Sequence, residues 1–351
     1  MTDHGPSAEE RSYPPPMPLA SDAGRAGSSV DTWCIDLHFQ GHPNAVAAYL
    51  LADGDELVLI ETGPGSTLGA LEAGVRAAGF ALEQLTGVVV THIHLDHAGA
   101  AGAVLARAPR ARLYVHPRGA PHLIDPSKLV ASATRIYGAD MDRLWGAFEP
   151  VPASRVTVLA DGDVVRCGTR ALTALHTPGH AVHHVVLHEA ARGDVYAGDV
   201  AGVRVGAVSL VCPPTPPPDI DLVAWRASLA RIRALAPRRL LLTHFGAFED
   251  VAWHLDDCLA RLYAWAGYVE GRLEAAGGVE AATPAVLAEV GAALADRARR
   301  EYVAAGADPE AASSAEAAMP MNAALPGLVR WLQVRDRPAG DRALGDRAPR
   351  A

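Results

Sequence analysis

A chain of 351 residues, half of them hydrophobic and a fifth charged, is long enough for about two domains, or one large domain with an extension. Its composition is that of a soluble globular protein. The formal net charge of −9, with no Lys/Arg-rich block, excludes the electrostatic footprint of a nucleic-acid-binding protein.

No apolar run reaches the roughly 18 residues of a membrane span, and the first residues, Met1 to Pro6, lack the basic-then-apolar order of a secretory leader. Cys34, Cys167, Cys212 and Cys258 stand far apart without a C-x-x-C pair. They read as reduced thiols of a cytoplasmic protein and exclude a cysteine-based zinc finger. Residues 1–29 are rich in Pro, Ser, Gly and Ala and read as a disordered tail. Ordered structure is expected from 33–37 onward. Residues 45–51 and 56–60 read as strands around the turn Asp53-Gly54-Asp55, 66–78 as a helix, and 85–90 as a buried strand.

That strand runs into Thr91-His92-Ile93-His94-Leu95-Asp96-His97, an H-x-H-x-D-H cluster of His92, His94, Asp96 and His97. In an extended segment His92 and His94 leave the same face. The small residues 98–103 that follow suit tight packing at a helix start. The cluster therefore stands at the carboxyl end of a strand, where α/β sheets bind ligands. A lone histidine is more often structural, but four ligand-type side chains within six positions point to metal.

Further along, 100–107 reads as helix, 111–115 as strand, and 118–153 as a helical insertion with loops. Residues 156–159, 163–165, 171–176, 185–188 and 194–197 read as strands of a second sheet. The prolines of 212–218 remove backbone donors and predict a stiff surface loop. Residues 220–236 read as a helix with Asp219 as its N-cap, and 239–243 as the last strand. From about Phe248 to Gln333 the pattern is helical, broken at Gly277-Gly278, Pro284, Pro309 and Pro320, and 334–351 reads as frayed. The domain reading is a tail over 1–29, one domain over 30–250 with an insertion at 118–153, a helical extension over 251–333 and a tail over 334–351.

Three more strand ends carry ligand-type residues: His176-Thr177-Pro178-Gly179-His180, Tyr196-Ala197-Gly198-Asp199 and Leu242-Thr243-His244. Each is unremarkable singly. In this order, and with the first cluster, they resemble the metallo-β-lactamase superfamily of metal-dependent hydrolases, in its generic glyoxalase II-like branch, over roughly residues 30–250. The resemblance implies an α/β protein, an αβ/βα four-layer sandwich, here with a C-terminal helical extension. It also implies a binuclear centre, with His92, His94 and His180 on one metal, Asp96, His97 and His244 on the other, and Asp199 bridging. Asp96 and Asp199 would then be the catalytic carboxylates, acting with a metal-bridging hydroxide. Glu61, in Leu59-Ile60-Glu61-Thr62-Gly63, stands where many members carry Asp and would orient the histidine loop from behind.

Imidazole and carboxylate ligands without thiolate suit zinc, iron or manganese, and two Zn2+ are the first choice because hydrolysis needs a Lewis acid without redox activity. Metal brings the pKa of water from 15.7 to about 7, so no Ser/His/Asp triad is needed. His176 and His184 read as residues behind the ligands, and His183 is unassigned. His116 and His122 beside the insertion, and Tyr137 within it, are candidate substrate contacts, Tyr137 as a donor to an oxyanion.

The expected substrate is a small ester, thioester or lactone. The competing class is a mononuclear iron persulfide dioxygenase using His92, His94 or His180 and Asp199. A phosphodiesterase or nuclease ranks lower, as does a metal-binding protein without catalysis. Val200-Ala201-Gly202-Val203-Arg204 replaces the Gly-Cys-Gly-Arg-type sequence of glyoxalase II-like thioesterases and persulfide dioxygenases. The tyrosine associated with acyl-homoserine-lactone lactonases is also missing there. No nucleic-acid or membrane partner is expected. The helices of 251–333 read equally as a lid, as packing elements or as a homodimer interface.

Overall fold

The apolar runs become the strands of two mixed sheets. The structure is a computed structural model, and it describes residues 13–19 and 31–336. The chain divides into two units, Met1–Leu159 with Val165–Ala171, and Ala160–Val164 with Leu172–Ala351.

The first sheet follows chain order across seven strands: β1 (Met17–Pro18), β2 (Thr32–Asp36), β3 (Ala47–Asp53), β4 (Glu56–Ile60), β5 (Gly87–Val89), β6 (Arg112–Val115) and β7 (Val156–Val158). β1 to β4 pair antiparallel and β4 to β7 parallel. The unbroken apolar stretch Leu57, Val58, Leu59, Ile60 is buried throughout, as a strand covered on both faces requires. The unit's helices are α1 (Leu68–Ala77), α2 (Leu95–Ala98), α3 (Ala101–Arg107), α4 (Ala120–Ile124), α5 (Ser127–Tyr137) and α6 (Met141–Trp145).

Two expectations are corrected in this sheet. Residues 13–19, read by composition as part of a disordered tail, are ordered. Met17 and Pro18 pair with Cys34 and Trp33, and Leu19 is buried with its N–H on the Thr32 carbonyl at 2.9 Å. Proline is tolerated here because β1 is an edge strand. The rest of that tail, and 337–351, lie outside the described residues. Residues 156–158, expected in the second sheet, instead extend the first. The helical insertion before them serves as the crossover that a parallel strand needs.

The second sheet runs in the order β13-β12-β11-β10-β9-β8, with β8 (Val164–Cys167), β9 (Arg170–His176), β10 (Val185–Glu189), β11 (Asp194–Tyr196), β12 (Arg239–Leu242) and β13 (Gly246–Phe248). β11 and β12 run parallel, joined through α7 (Leu222–Ala234). Their register is pinned by a buried bidentate ion pair. Arg239 Nε and Nη2 donate to the two Asp194 oxygens at 2.7 and 2.8 Å. The N-cap of α7 is Asp221, which accepts from the N–H groups of Val223 and Ala224, and not Asp219. β13 falls where the helical pattern was expected to begin.

Four helices follow: α8 (Val251–Ala275), α9 (Pro284–Ala304), α10 (Pro309–Ala318) and α11 (Met321–Val334). Pro284 and Pro309 begin helices rather than merely breaking them, with Thr283 and Asp308 capping from outside, because the first helical position needs no N–H. These helices share one hydrophobic core with the second unit. Trp225 of α7, Trp265 of α8, Leu294 of α9 and Leu328 of α11 all lie fully buried in it. No helix among the described residues is long and apolar enough to cross a membrane.

Candidate metal centre

Ligand-type side chains gather in each unit: His92, His94, Asp96 and His97 in the first, and His180, Asp199 and His244 in the second.

In the first unit the chain leaves β5, passes through 90–94 and turns into α2. His92 Nε2 lies 2.9 Å from His94 Nδ1, and the His92 and His97 ring centroids are 4.0 Å apart. His92 and His97 are wholly buried, whereas His94 and Asp96 are half-buried. The Asp96 carboxylate is 3.7 Å from His97 Nε2. Behind them stands Glu61, at the end of β4, with φ 65°, a left-handed backbone uncommon outside glycine. Its carboxylate is buried and accepts from the Thr91 hydroxyl at 2.5 Å and the Thr91 N–H at 3.2 Å. It also lies 3.0 Å from His97 Nδ1. A carboxylate at Nδ1 makes that nitrogen the donor and leaves the Nε2 lone pair for a metal. The extra methylene of Glu61 relative to Asp is thus accommodated: the carboxylate reaches both the threonine before the cluster and the histidine that ends it. The His97 carbonyl is held in turn by the Thr62 N–H and hydroxyl at 2.8 and 3.0 Å.

In the second unit, Asp199 presents Oδ2 to His180 Nε2 and Oδ1 to His244 Nε2, each at 3.3 Å. All three residues are buried. His180 Nδ1 lies 2.9 Å from the Pro214 carbonyl, which accepts its proton and leaves Nε2 as the nitrogen that faces Asp199. His184 is buried beside the aspartate. Its Nε2 accepts the Asp199 N–H at 3.2 Å, so its Nδ1 donates to Thr177 Oγ1 at 2.9 Å. Trp225 backs both loops. Its indole N–H donates to the Val200 carbonyl at 2.6 Å, and its ring stands edge-on to His180 at 5.6 Å. Gly179, at φ 136°, leaves no room for a Cβ against the Trp225 backbone. His244 is steadied through its backbone. Its carbonyl accepts the Arg204 N–H at 2.6 Å, and the Arg204 carbonyl accepts from Phe245 at 3.1 Å. The Arg204 guanidinium donates to Asp250 at 2.7 Å and stacks on Phe248 and Trp253. That hydrogen bond holds the Asp250 carboxyl below its ordinary range.

The donor set fits a borderline divalent metal. In each unit it consists of imidazole nitrogens and carboxylate oxygens, with an acceptor at Nδ1 of His97 and of His180 directing the Nε2 of each toward the neighbouring carboxylate.

The other candidates belong to neither group of metal-type side chains. His176 is half-buried, and its backbone is tied to Asp161 and Arg231. His183 has its Nε2 4.0 Å from Asp219. His116 is buried and accepts the Arg118 N–H at 3.0 Å, a turn contact. His122 is half-buried on α4. Tyr137 ends α5, edge-on to Trp145 at 5.0 Å, and Trp145 stacks on Phe39. Burial, and then the Asp96 charge, push the Tyr137 phenol up to about 12. Thr91, Thr177, Trp225 and the Pro214 carbonyl were not identified from sequence. Only Thr91, next to the cluster, carried any local signal.

The profile of the Metallo-beta-lactamase superfamily matches residues 42–244. A metallo-beta-lactamase fold-containing protein of Sulfurisphaera tokodaii is 26% identical over 209 residues, 58% of this chain and 74% of the relative. An acyl-coenzyme A thioesterase MBLAC2 of Bos taurus is 27% identical over 186 residues, 47% of this chain and 62% of the relative. The solved structure of a metallo-beta-lactamase family protein from Thermus thermophilus superposes with a TM-score of 0.58 at 21% identity, covering 82% of this chain and 92% of that one. That likeness shows the fold.

Proposed function

The chain belongs to the metallo-beta-lactamase superfamily, and on that footing we propose that it hydrolyses a small acyl thioester, ester or lactone at a centre of two zinc ions. In this reading His92, His94 and His180 hold one ion, Asp96, His97 and His244 hold the other, and Asp199 serves both. The observation that carries it is the Asp199 carboxylate, which offers one oxygen to His180 and the other to His244 at equal distance. Thioesters come first among the substrates because a relative is an acyl-coenzyme A thioesterase. Four free, buried cysteines favour a cytoplasmic setting for an enzyme of this kind.

When bound, zinc supplies Lewis acidity and lowers the pKa of water into the neutral range. The residues of the chain do the rest. Glu61 and the Pro214 carbonyl fix His97 and His180 in the tautomers that coordinate through Nε2. His184 holds the Asp199 backbone in place. Tyr137 keeps its proton at neutral pH and is the candidate donor to a developing oxyanion.

The test is turnover by zinc-loaded protein of an acyl-coenzyme A, a glutathione thioester, an aryl ester, a lactone and a phosphodiester. We expect thioester or ester cleavage that chelator abolishes and zinc restores. A single tightly bound iron, with oxygen uptake on glutathione persulfide, would replace this reading with the dioxygenase one.

A further inference from the structure

The proline-rich stretch 212–218 carries five prolines and so has few N–H groups with which to join a sheet. Pro213, Pro214 and Thr215 are nonetheless buried, so the strap must be ordered by neighbours that bind its carbonyls and side chains. At its entry, Cys212 exchanges both backbone hydrogen bonds with Val203, at 2.8 and 2.9 Å. Val211 donates to Asp257 at 2.8 Å and accepts from Arg261 at 3.0 Å, both on α8. At its exit the frame is α11. The Thr215 hydroxyl donates to the Ala324 carbonyl at 3.0 Å, and Arg330 Nε donates to the Pro218 carbonyl at 2.8 Å. Between them Gly327 lets the helix touch the strap, for a Cβ there would fall on the Thr215 carbonyl oxygen. The carbonyl one residue earlier, that of Pro214, is the acceptor for His180 Nδ1.

We propose that α11 is a positioning element of the metal centre: by fixing the strap it sets the Pro214 carbonyl, and through it the ring orientation and tautomer of His180. This rests on the reading of His180 as a ligand. A carbonyl that orients a coordinating imidazole governs metal affinity, and losing such a partner typically weakens binding about 10–100-fold. By linkage, zinc should in turn order α11.

Gly327→Ala tests this sharply, because alanine favours helix over glycine and the harm falls on the contact with the strap. Thr215→Val removes one hydrogen bond at nearly constant shape and decides the matter should Gly327→Ala fail to fold. Leu294→Ala, in the same helical core on α9, is the control for lost stability alone. We expect both test variants to bind zinc at least about tenfold more weakly at one site in chelator competition. Their cobalt-substituted forms should show altered visible absorption, and zinc should protect α11 amides from hydrogen exchange less than in the unmodified protein. Leu294→Ala should melt earlier with unchanged zinc affinity. Test variants with wild-type affinity and cobalt spectrum would overturn the coupling while leaving the metal reading standing. Unmodified protein that takes up neither zinc nor cobalt would overturn both.

Discussion

His254 shows how burial can dominate a histidine's charge. It lies inside α8 with its Nε2 2.8 Å from the Ala201 carbonyl, and desolvation lowers its pKa from 6.5 to about 4. Below about 6.5 the unfolded chain protonates this ring while the folded protein does not. Stability therefore falls with pH until about 4, where the folded ring takes up its proton as well. At about 1.4 kcal/mol for each tenfold change in proton affinity, the loss attributable to this residue is about 3 kcal/mol. Denaturant unfolding from neutral pH downward checks it. The difference between the unmodified protein and His254→Gln should shrink as pH drops through this window, and a constant difference would refute the assignment. Glu61 is a buried carboxylate placed among hydrogen-bond donors. Its cost of burial is offset only while those partners stay.

At the scale of elements, two glycines of the insertion have different roles. Gly146 ends α6 at φ 65°, and a Cβ there would stand 2.5 Å from the Ser66 nitrogen. Ser66 itself donates to the Leu144 carbonyl at 2.6 Å. Gly138, at φ 54°, has open space around it. Alanine at either site costs about 1–3 kcal/mol for its backbone, but only Gly146→Ala also breaks the docking of α6 onto residues 65–66. We expect Gly146→Ala to lower the melting temperature more than Gly138→Ala, with faster amide exchange across Met141–Trp145. Equal shifts would show that strain alone matters.

What sequence could reveal follows from the range of the interactions. The His92-to-His97 cluster and the strands feeding it were legible because apolar runs and ligand spacing are local. Residues 156–158 join the first sheet, against what their pattern suggests, because a parallel partner is chosen through a crossover and not by those residues themselves. β13 was missed because its three residues carry little pattern of their own. The Pro214 acceptor had no signal at all, since a carbonyl belongs to every residue.

For the molecule as a whole, the second unit's core is built as much by its last helices as by its sheet. A chain ending at Ala276 would withdraw Val290, Leu294, Leu325 and Leu328 from that core. Each such loss costs about 2–5 kcal/mol, and together they rival the roughly 5–15 kcal/mol that holds a typical domain folded. The truncated chain should bind a hydrophobic dye and unfold without a cooperative transition in the second unit. A sharp calorimetric peak for that unit would count against a shared core.

The buried pair of Asp194 and Arg239 has a consequence for assembly. It joins the starts of β11 and β12, and Asp199 and His244 each stand five positions beyond their own member of the pair. These equal spans make the pair a gauge for how the Asp199 and His244 side chains align. A two-residue slip would displace Asp199 past His244 by about 6.6 Å and would also strand a carboxylate and a guanidinium without each other, at about 3–5 kcal/mol. The penalty for a wrong register is thus set at the starts of the two strands, five residues away from the side chains it aligns.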